Sequence, residues 1–377
     1  MATLHVAQIN FLQAPAGLAH DEVLERWHSL VDIAEVAASG GTRVTVVQAA
    51  ARDDRLTRNG IDYHFIDIRG LGAAGRGRRF ARLLTDIRAD VLHANGLDFV
   101  GDAFAVSRCL PLLPILFQDH ASRPPRWWRR RQHRRWYAAV SGVAFTALEQ
   151  ARPFSDAGLF GPQLRLFAIP ESSSRFAPGS RVDARVETGL YGDPCVLWVG
   201  HLSSGKDPLA VLDGVARAAS QLPGLQLWCA FGSAPLFDEV QQRIEQDPQL
   251  RERVHLLGKV KHTHVETLMQ SADIFVSGSH AEGSGYALLE ALACGVVPVV
   301  TDIPSFRALT DNGNVGKLWP RGDAARLAEA LVDVASSRLS PEQVRAHFDA
   351  ALSFTAVGRQ WADAYAQVHD DRQRRTS

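Results

Sequence analysis

The chain has 377 residues, 46% hydrophobic and 22% charged, and its 41 basic side chains balance 41 acidic ones. At roughly 100–200 residues per domain this length predicts two domains with cores of their own, and it excludes a single small module or a disordered chain. Cys109, Cys195, Cys229 and Cys294 form no CxxC pair, so neither a zinc ribbon nor a disulfide framework is expected, and a reducing cytosol fits.

The opening MATLHVAQINFLQ lacks a basic leader followed by an apolar stretch, and no run approaches the ~18 apolar residues that span a bilayer. A cytoplasmic protein is expected. Short β-rich runs then recur at 4–11, 43–49, 63–68, 90–95, 113–118 and 140–146, most of them separated by amphipathic helical stretches such as EVLERWHSLVDIAEVAA. Pro, Ser and Gly gather in PESSSRFAPGS, and charge changes there too: residues 1–180 carry 22 basic and 17 acidic side chains, against 19 and 24 afterwards. We place a first domain at 1–170, a linker at 171–190 and a second domain at 191–355. A terminal helix and tail, 356–377, follow and can cross back to the first domain. The second domain repeats the theme, with β-rich runs at 195–200, 225–232, 253–258, 273–279 and 296–301. Both halves read as α/β units with parallel sheets, and ligands bind such sheets beyond the carboxyl ends of the strands, here in a cleft between two domains.

DIFVSGSHAEGSGYALLEALACGVVPVVTD reads as strand, Gly-rich loop, short helix, Gly stop and strand. Gly283 and Gly285 let a ligand approach the backbone, and the helix start near Gly285 aims N–H groups at the loop. Glu290, the only charged side chain of the helix, needs donors when desolvated, and ribose hydroxyls suit it. Glu282, eight residues earlier, can accept from a bound sugar. The same spacing also fits a solvated loop acid at 282 and a Glu290 paired to a buried arginine. In VLWVGHLSSGKDPLAVLDGVARA a strand ends at Gly200, and Asp207 with Pro208 makes an N-cap and N1 pair. Lys206 before that helix suits a diphosphate, and a solvated lysine is the plain alternative.

The motifs together resemble the retaining, nucleotide-sugar-dependent glycosyltransferases of family 4, with the GT-B fold of two Rossmann-like domains. EGSGYALLE matches the ExxxxxxxE pattern, ACGVVPVVTD follows it, GHLSSGKDP resembles GRLxxxKxP, and NVGKLWPRGDAARLAEAL resembles the next segment. The first domain resembles the family more loosely, through DVLHANG, PILFQDH and IPESSSRFAP in place of a Pro-Asn-Gly segment. The resemblance implies transfer of a hexosyl unit from a UDP- or GDP-linked sugar to a saccharide or lipid-linked acceptor in cell-envelope polysaccharide or glycolipid synthesis. It implies that Glu290 holds ribose, Glu282 the hexose and Lys206 the diphosphate, with backbone support from Gly283, Ser284, Gly285 and Tyr286. Glu282, His120 and Lys206 become the catalytic candidates, with His120 near the reacting carbon. His201 stands where the family has Arg, Ser284 where it has Phe, and of a Gly-Gly pair in QAPAGLAH only Gly17 remains. Gly17, Gly200 and His201 complete the expected donor site. No cofactor and no metal are expected, because a lysine and helix termini can carry the diphosphate.

Residues 123–137, RPPRWWRRRQHRRWY, hold seven Arg and three Trp. Arg126, Trp127, Trp128, Arg129, Arg130 and Arg131 are expected to touch an anionic membrane surface at the inner face of the cytoplasmic membrane; a solvated helix with inward Trp is the alternative. Nucleic acid is not an expected partner, since the chain as a whole is not basic. Rival functions are a nucleotide-sugar epimerase or phosphorylase on the same fold, a non-catalytic binding module, and an NAD-dependent oxidoreductase suggested by GLGAAG at 70–75. That GxGxxG follows a later strand instead of the first and lacks a ribose-binding acid after the next one.

Overall fold

The computed structural model describes residues 3–336 and 339–376. The chain divides into two compact units, 1–173 with 354–377, and 174–353. Segment 171–190, expected as a linker, contains the helix Arg181–Thr188, capped by the Ser180 hydroxyl and stopped at left-handed Gly189. Arg185 of that helix pairs with Asp273 at 2.8 Å, so it is a structural part of the second unit.

The strands of the first unit are β1 (His5–Asn10), β2 (Arg43–Ala50), β3 (Asp54–Arg58), β4 (Ile61–Asp67), β5 (Val91–Asn95), β6 (Ile115–Gln118), β7 (Gly142–Phe145) and β8 (Arg165–Ala168). They form one sheet in the order β3-β4-β2-β1-β5-β6-β7-β8, parallel except for β3. Alternate residues of a strand face opposite sides, so Val47, Ile9 and Leu92 join one apolar layer while Val46, Val6 and Val91 join the other. The terminal helix Phe354–Thr376 seals the second layer with Trp361 and Tyr365, both fully buried. It docks on the helix His28–Ser39 through two glycines: a Cβ on Gly40 would lie 2.1 Å from the Gly358 carbonyl oxygen. Even alanine at Gly40 would force the helices apart.

The second unit contributes β9 (Cys195–Gly200), β10 (Gln226–Phe231), β11 (Val254–Gly258), β12 (Ile274–Ser277), β13 (Val297–Thr301) and β14 (Lys317–Trp319). The sheet is all parallel in the order β11-β10-β9-β12-β13-β14. Counted within the unit, this is the doubly wound order 3-2-1-4-5-6, whose connections reverse direction between its first and fourth strands. β9 and β12 are those strands, and their continuously apolar cores follow from burial on both faces. β3, β8 and β14, absent from the sequence reading, are edge strands: the first two are largely exposed and the third has three residues, so none shows a buried period.

Candidate functional site

The loops that begin at the ends of β9 and β12 lie side by side at the switch point of the second sheet. They touch through backbone: a Cβ on Gly278 would lie 2.9 Å from the Asp207 carbonyl oxygen and 3.0 Å from that of Lys206. His280 N–H donates to the Gly205 carbonyl at 2.9 Å, and His280 Nε2 meets Asp207 Oδ2 at 2.8 Å. The other Asp207 oxygen caps the helix Pro208–Ala218 by accepting from Ala210 N–H at 3.3 Å. Asp207 holds φ +46°, a left-handed conformation rare outside glycine. The helix start and the Gly-rich loop are thus tied by one carboxylate.

Lys206 Nζ is ion-paired with Glu282 Oε1, and the same oxygen accepts from the buried Ser279 hydroxyl at 2.6 Å. The Lys206 and Glu282 side chains are 29% and 16% exposed, so solvent screens the pair only in part. Gly285, φ +64°, opens the helix Tyr286–Ala293 with no side-chain cap, and a Cβ there would lie 2.9 Å from Leu309 Cδ1. Glu290, buried on that helix, meets not an arginine but His262 Nε2, 2.7 Å from its Oε1. His262 begins the helix His262–Ser271, and its side chain is 58% exposed. Exposed His201 follows Gly200, and its Nδ1 accepts from Ser233 N–H at 3.1 Å.

In the first unit His120 follows β6, and its Nδ1 lies 2.7 Å from Glu171 Oε1. Burial opposes a charged ring there, but the Glu171 and Asp119 carboxylates together outweigh it and raise the His120 pKa. Beneath this pair runs a buried relay. Gln118 Nε2 donates to the Glu171 carbonyl at 2.7 Å, Gln118 Oε1 meets His93 Nε2 at 3.1 Å, and His93 Nδ1 meets Tyr365 OH at 2.7 Å. Burial pushes His93 down to about 3, so the ring is neutral: it donates from Nε2 and accepts the tyrosine proton at Nδ1.

Residues 193–337 match the family described as glycosyl transferases group 1. The chain is 25% identical over 268 residues to the GDP-mannose:cellobiosyl-diphosphopolyprenol alpha-mannosyltransferase of Xanthomonas campestris, covering 71% of this chain and 68% of that one. The second unit thus carries a domain of the group 1 glycosyltransferases. A 160-residue match, 31% identical, links this glycosyltransferase to D-inositol 3-phosphate glycosyltransferase of Mycobacterium tuberculosis, over 41% of this chain and 32% of that one. Among solved structures it resembles sucrose-phosphate synthase from Thermosynechococcus elongatus, with TM-score 0.70 and 18% identity over 98% of this chain and all of that one. Anabaena HepE in complex with UDP gives TM-score 0.70 and 16% identity over 97% and 100%. The fold is GT-B, and the protein is an enzyme of the glycosyltransferase class.

In this glycosyltransferase the loops from β9 and β12 bring Gly200, His201, Lys206, Glu282, Gly283, Ser284, Gly285, Tyr286 and Glu290 to one end of the second sheet. Gly17 lies in the loop after β1, between residues that line a cavity of about 190 Å³ with His20, Arg52 and Arg69. GLGAAG follows β4, a flank strand away from the reversal between β1 and β5. Sequence reasoning missed His262, Ser279, His280 and Glu171, because each earns its place through a partner 3 to 73 positions away. Only the position of Glu171, in the segment that departs from Pro-Asn-Gly, offered a signal.

Residues 126–131 form a 3-10 turn, Trp127–Arg129, and the start of the helix Arg130–Tyr137. Trp127 and Trp128 are 75% and 55% exposed and meet edge to face, with the Arg126 guanidinium 5.3 Å from the Trp128 ring. Arg126, Arg129 and Arg131 are exposed and in no ion pair among the described residues. Trp136 instead packs inward, against Gly101.

Proposed function

We propose that this enzyme is a retaining, metal-independent hexosyltransferase, which moves a sugar from a nucleoside diphosphate to a hydroxyl of a lipid-linked saccharide in cell-envelope synthesis. One observation carries the reading: at the switch point of the second sheet, Lys206 pairs with Glu282 while Glu290 lies buried eight residues on. In this scheme donor binding exchanges partners. The Lys206 ammonium turns to the diphosphate, helped by the starts of the helices Pro208–Ala218 and Tyr286–Ala293. Glu282, released from the ammonium, accepts from the sugar hydroxyls, and Glu290 accepts from the ribose. Gly200, His201 and the backbone of Gly283 to Tyr286 line the diphosphate and the hexose, and Gly17 and His120 are the candidate residues of the first unit.

The developing charge on the leaving diphosphate is met by Lys206 and backbone N–H groups, so the scheme calls for no divalent ion and no cofactor. The acceptor attacks on the face the diphosphate leaves, its proton passes to a leaving phosphate oxygen, and configuration at the anomeric carbon is retained. GDP-mannose is the first donor to try, because the Xanthomonas relative is named for it. Thermal unfolding with a panel of UDP- and GDP-sugars tests the reading, since a ligand that binds only the native state raises the midpoint by mass action. We expect one donor to stabilise the protein with and without EDTA, and NMR of the transferred product to show the donor's anomeric configuration. No stabilisation by any nucleotide sugar overturns it.

The exposed Trp127 and Trp128, with Arg126, Arg129, Arg130 and Arg131, suit the interface of an anionic membrane, where a lipid-linked acceptor resides. The reading is of an enzyme held peripherally at the cytoplasmic face. In flotation with vesicles of phosphatidylglycerol, the wild type should rise with the lipid, and a variant with Arg129, Arg130 and Arg131 changed to Ser should stay below. Equal flotation on neutral vesicles counts against the contact.

A further inference from the structure

Three loops converge beside His120 at the carboxyl ends of β5, β6 and β8: the turn at Gly96, φ +83°, the His120 loop itself and the segment of Glu171. A Cβ on Gly96 would lie 4.0 Å from His120 Cδ2, so the ring edge that carries Nε2 looks toward that turn. Glu171 is 6% exposed, and an ionised carboxylate only accepts, so the ring donates to it from Nδ1 over 2.7 Å. The backbone of Glu171 is held from below by Gln118 Nε2, and Gln118 is held by His93. On the other side of the ring, His120 Nε2 is buried and has no partner among the described residues. A directed ring with one nitrogen anchored and one buried and unmatched is costly unless a ligand completes it.

We propose that Glu171 is the positioning residue of His120, anchoring the ring through Nδ1–H so that Nε2 is presented in a fixed direction to an oxygen of a substrate. The proposal rests on the glycosyltransferase reading for what Nε2–H meets, and on geometry alone for the anchor. Three titratable groups face the ring. Glu171 comes from the loop after β8, Asp119 from the ring's own loop, where its carboxylate accepts from Ala121 and Ser122 N–H at 3.1 and 2.9 Å, and neutral His93 from β5. Burial works against the imidazolium, and the Glu171 and Asp119 carboxylates together more than reverse that, which raises the His120 pKa. While the ring is protonated, Nε2 donates. An uncharged ring anchored at Nδ1–H would instead present Nε2 as an acceptor and lose this role.

The test uses the full chain labelled with 15N, and long-range 1H–15N correlation of the histidine rings from pH 5 to 9, with His120→Gln to assign the signal. The wild-type His120 midpoint should lie above the ordinary value of about 6.5. Glu171→Gln should lower it by about one pH unit or more, and Glu171→Asp should restore part of the rise. A wild-type midpoint at or below the ordinary value overturns the anchor, as does a Glu171→Gln midpoint equal to that of the wild type. Rates with GDP-mannose and with UDP-glucose then follow pH. In Glu171→Gln the alkaline fall of kcat/KM should begin at lower pH, while affinity for GDP or UDP alone stays within about twofold, as expected when the nucleotide-holding lobe is untouched. A lowered midpoint with an unmoved alkaline limb overturns the positioning role. Absence of transfer with every donor instead defeats the hexosyltransferase reading and leaves the ring titration to judge the anchor.

Discussion

Both units place functional side chains beyond the carboxyl ends of a parallel sheet, yet they assemble them in different ways. In the second unit the charges stand on neighbouring loops, and each has a counter-charge or a polar partner at the rim: Lys206 with Glu282, Asp207 with His280, Glu290 with His262. In the first, the polar groups lie inside. Tyr365, His93, Gln118 and Glu171 come from a terminal helix, two strands and a loop, up to 272 positions apart, and pass hydrogen bonds through the core to His120. Pairs at a rim can exchange partners with an incoming ligand, because solvent and substrate can replace what is lost. A buried relay cannot, since each unmet donor or acceptor there carries its full desolvation cost. The proposed exchange of partners thus suits the second unit, while the first holds one ring still.

The largest effects should come from breaking the rim. Glu290→Ala should remove measurable donor binding in calorimetry with the stabilising nucleotide sugar. Lys206→Ala should weaken nucleoside diphosphate binding by about 1.5–3 kcal/mol, the range of a charge-assisted contact. Glu282 loses its ammonium partner, so this variant should also lose stability. Wild-type affinity in both variants would falsify the donor site.

A smaller effect separates the buried relay from the rim. His93 is held neutral down to about pH 3, whereas the unfolded chain takes up that proton near 6.5. Between those values the unfolded state binds more protons, so stability is fully present above about 6.5 and falls as pH drops. The slope from this one group approaches about 1.4 kcal/mol per pH unit. Urea midpoints from pH 7 to 5 should decline less steeply in His93→Gln, which keeps a polar side chain but no titrating ring. Parallel declines in the two proteins would mean that His93 is not the buried neutral group described above.

The difference between the units also explains what could be read in advance. Glu282 and Glu290 share one strand, loop and helix, and Lys206 precedes a helix with its own N-cap, so local chemistry marks all three. His262, Ser279 and Glu171 carry no such mark, because their importance lies in a partner that only folding delivers. The edge strands β3, β8 and β14 escaped for a related reason: a short, largely polar strand acquires its identity from the neighbour it pairs with, not from its own period. In the Arg and Trp segment, composition set exposed and inward Trp as alternatives, and the fold decided that Trp127 and Trp128 face out while Trp136 packs against Gly101.

The amino-acid order alone determined that two α/β units follow one another and that the second carries a Gly-rich loop flanked by two acids and a lysine before a capped helix. Alternating apolar runs and Gly-rich loops act over a few residues, where steric and hydrogen-bond rules operate without reference to the rest of the chain. Tertiary structure alone decided who neutralises whom: that Glu290 meets a histidine instead of an arginine, that Glu282 is the counter-ion of Lys206, and that Glu171 holds His120. Electrostatic pairing depends on distances of about 3 Å between residues far apart in sequence, and such distances exist only once the sheets have formed.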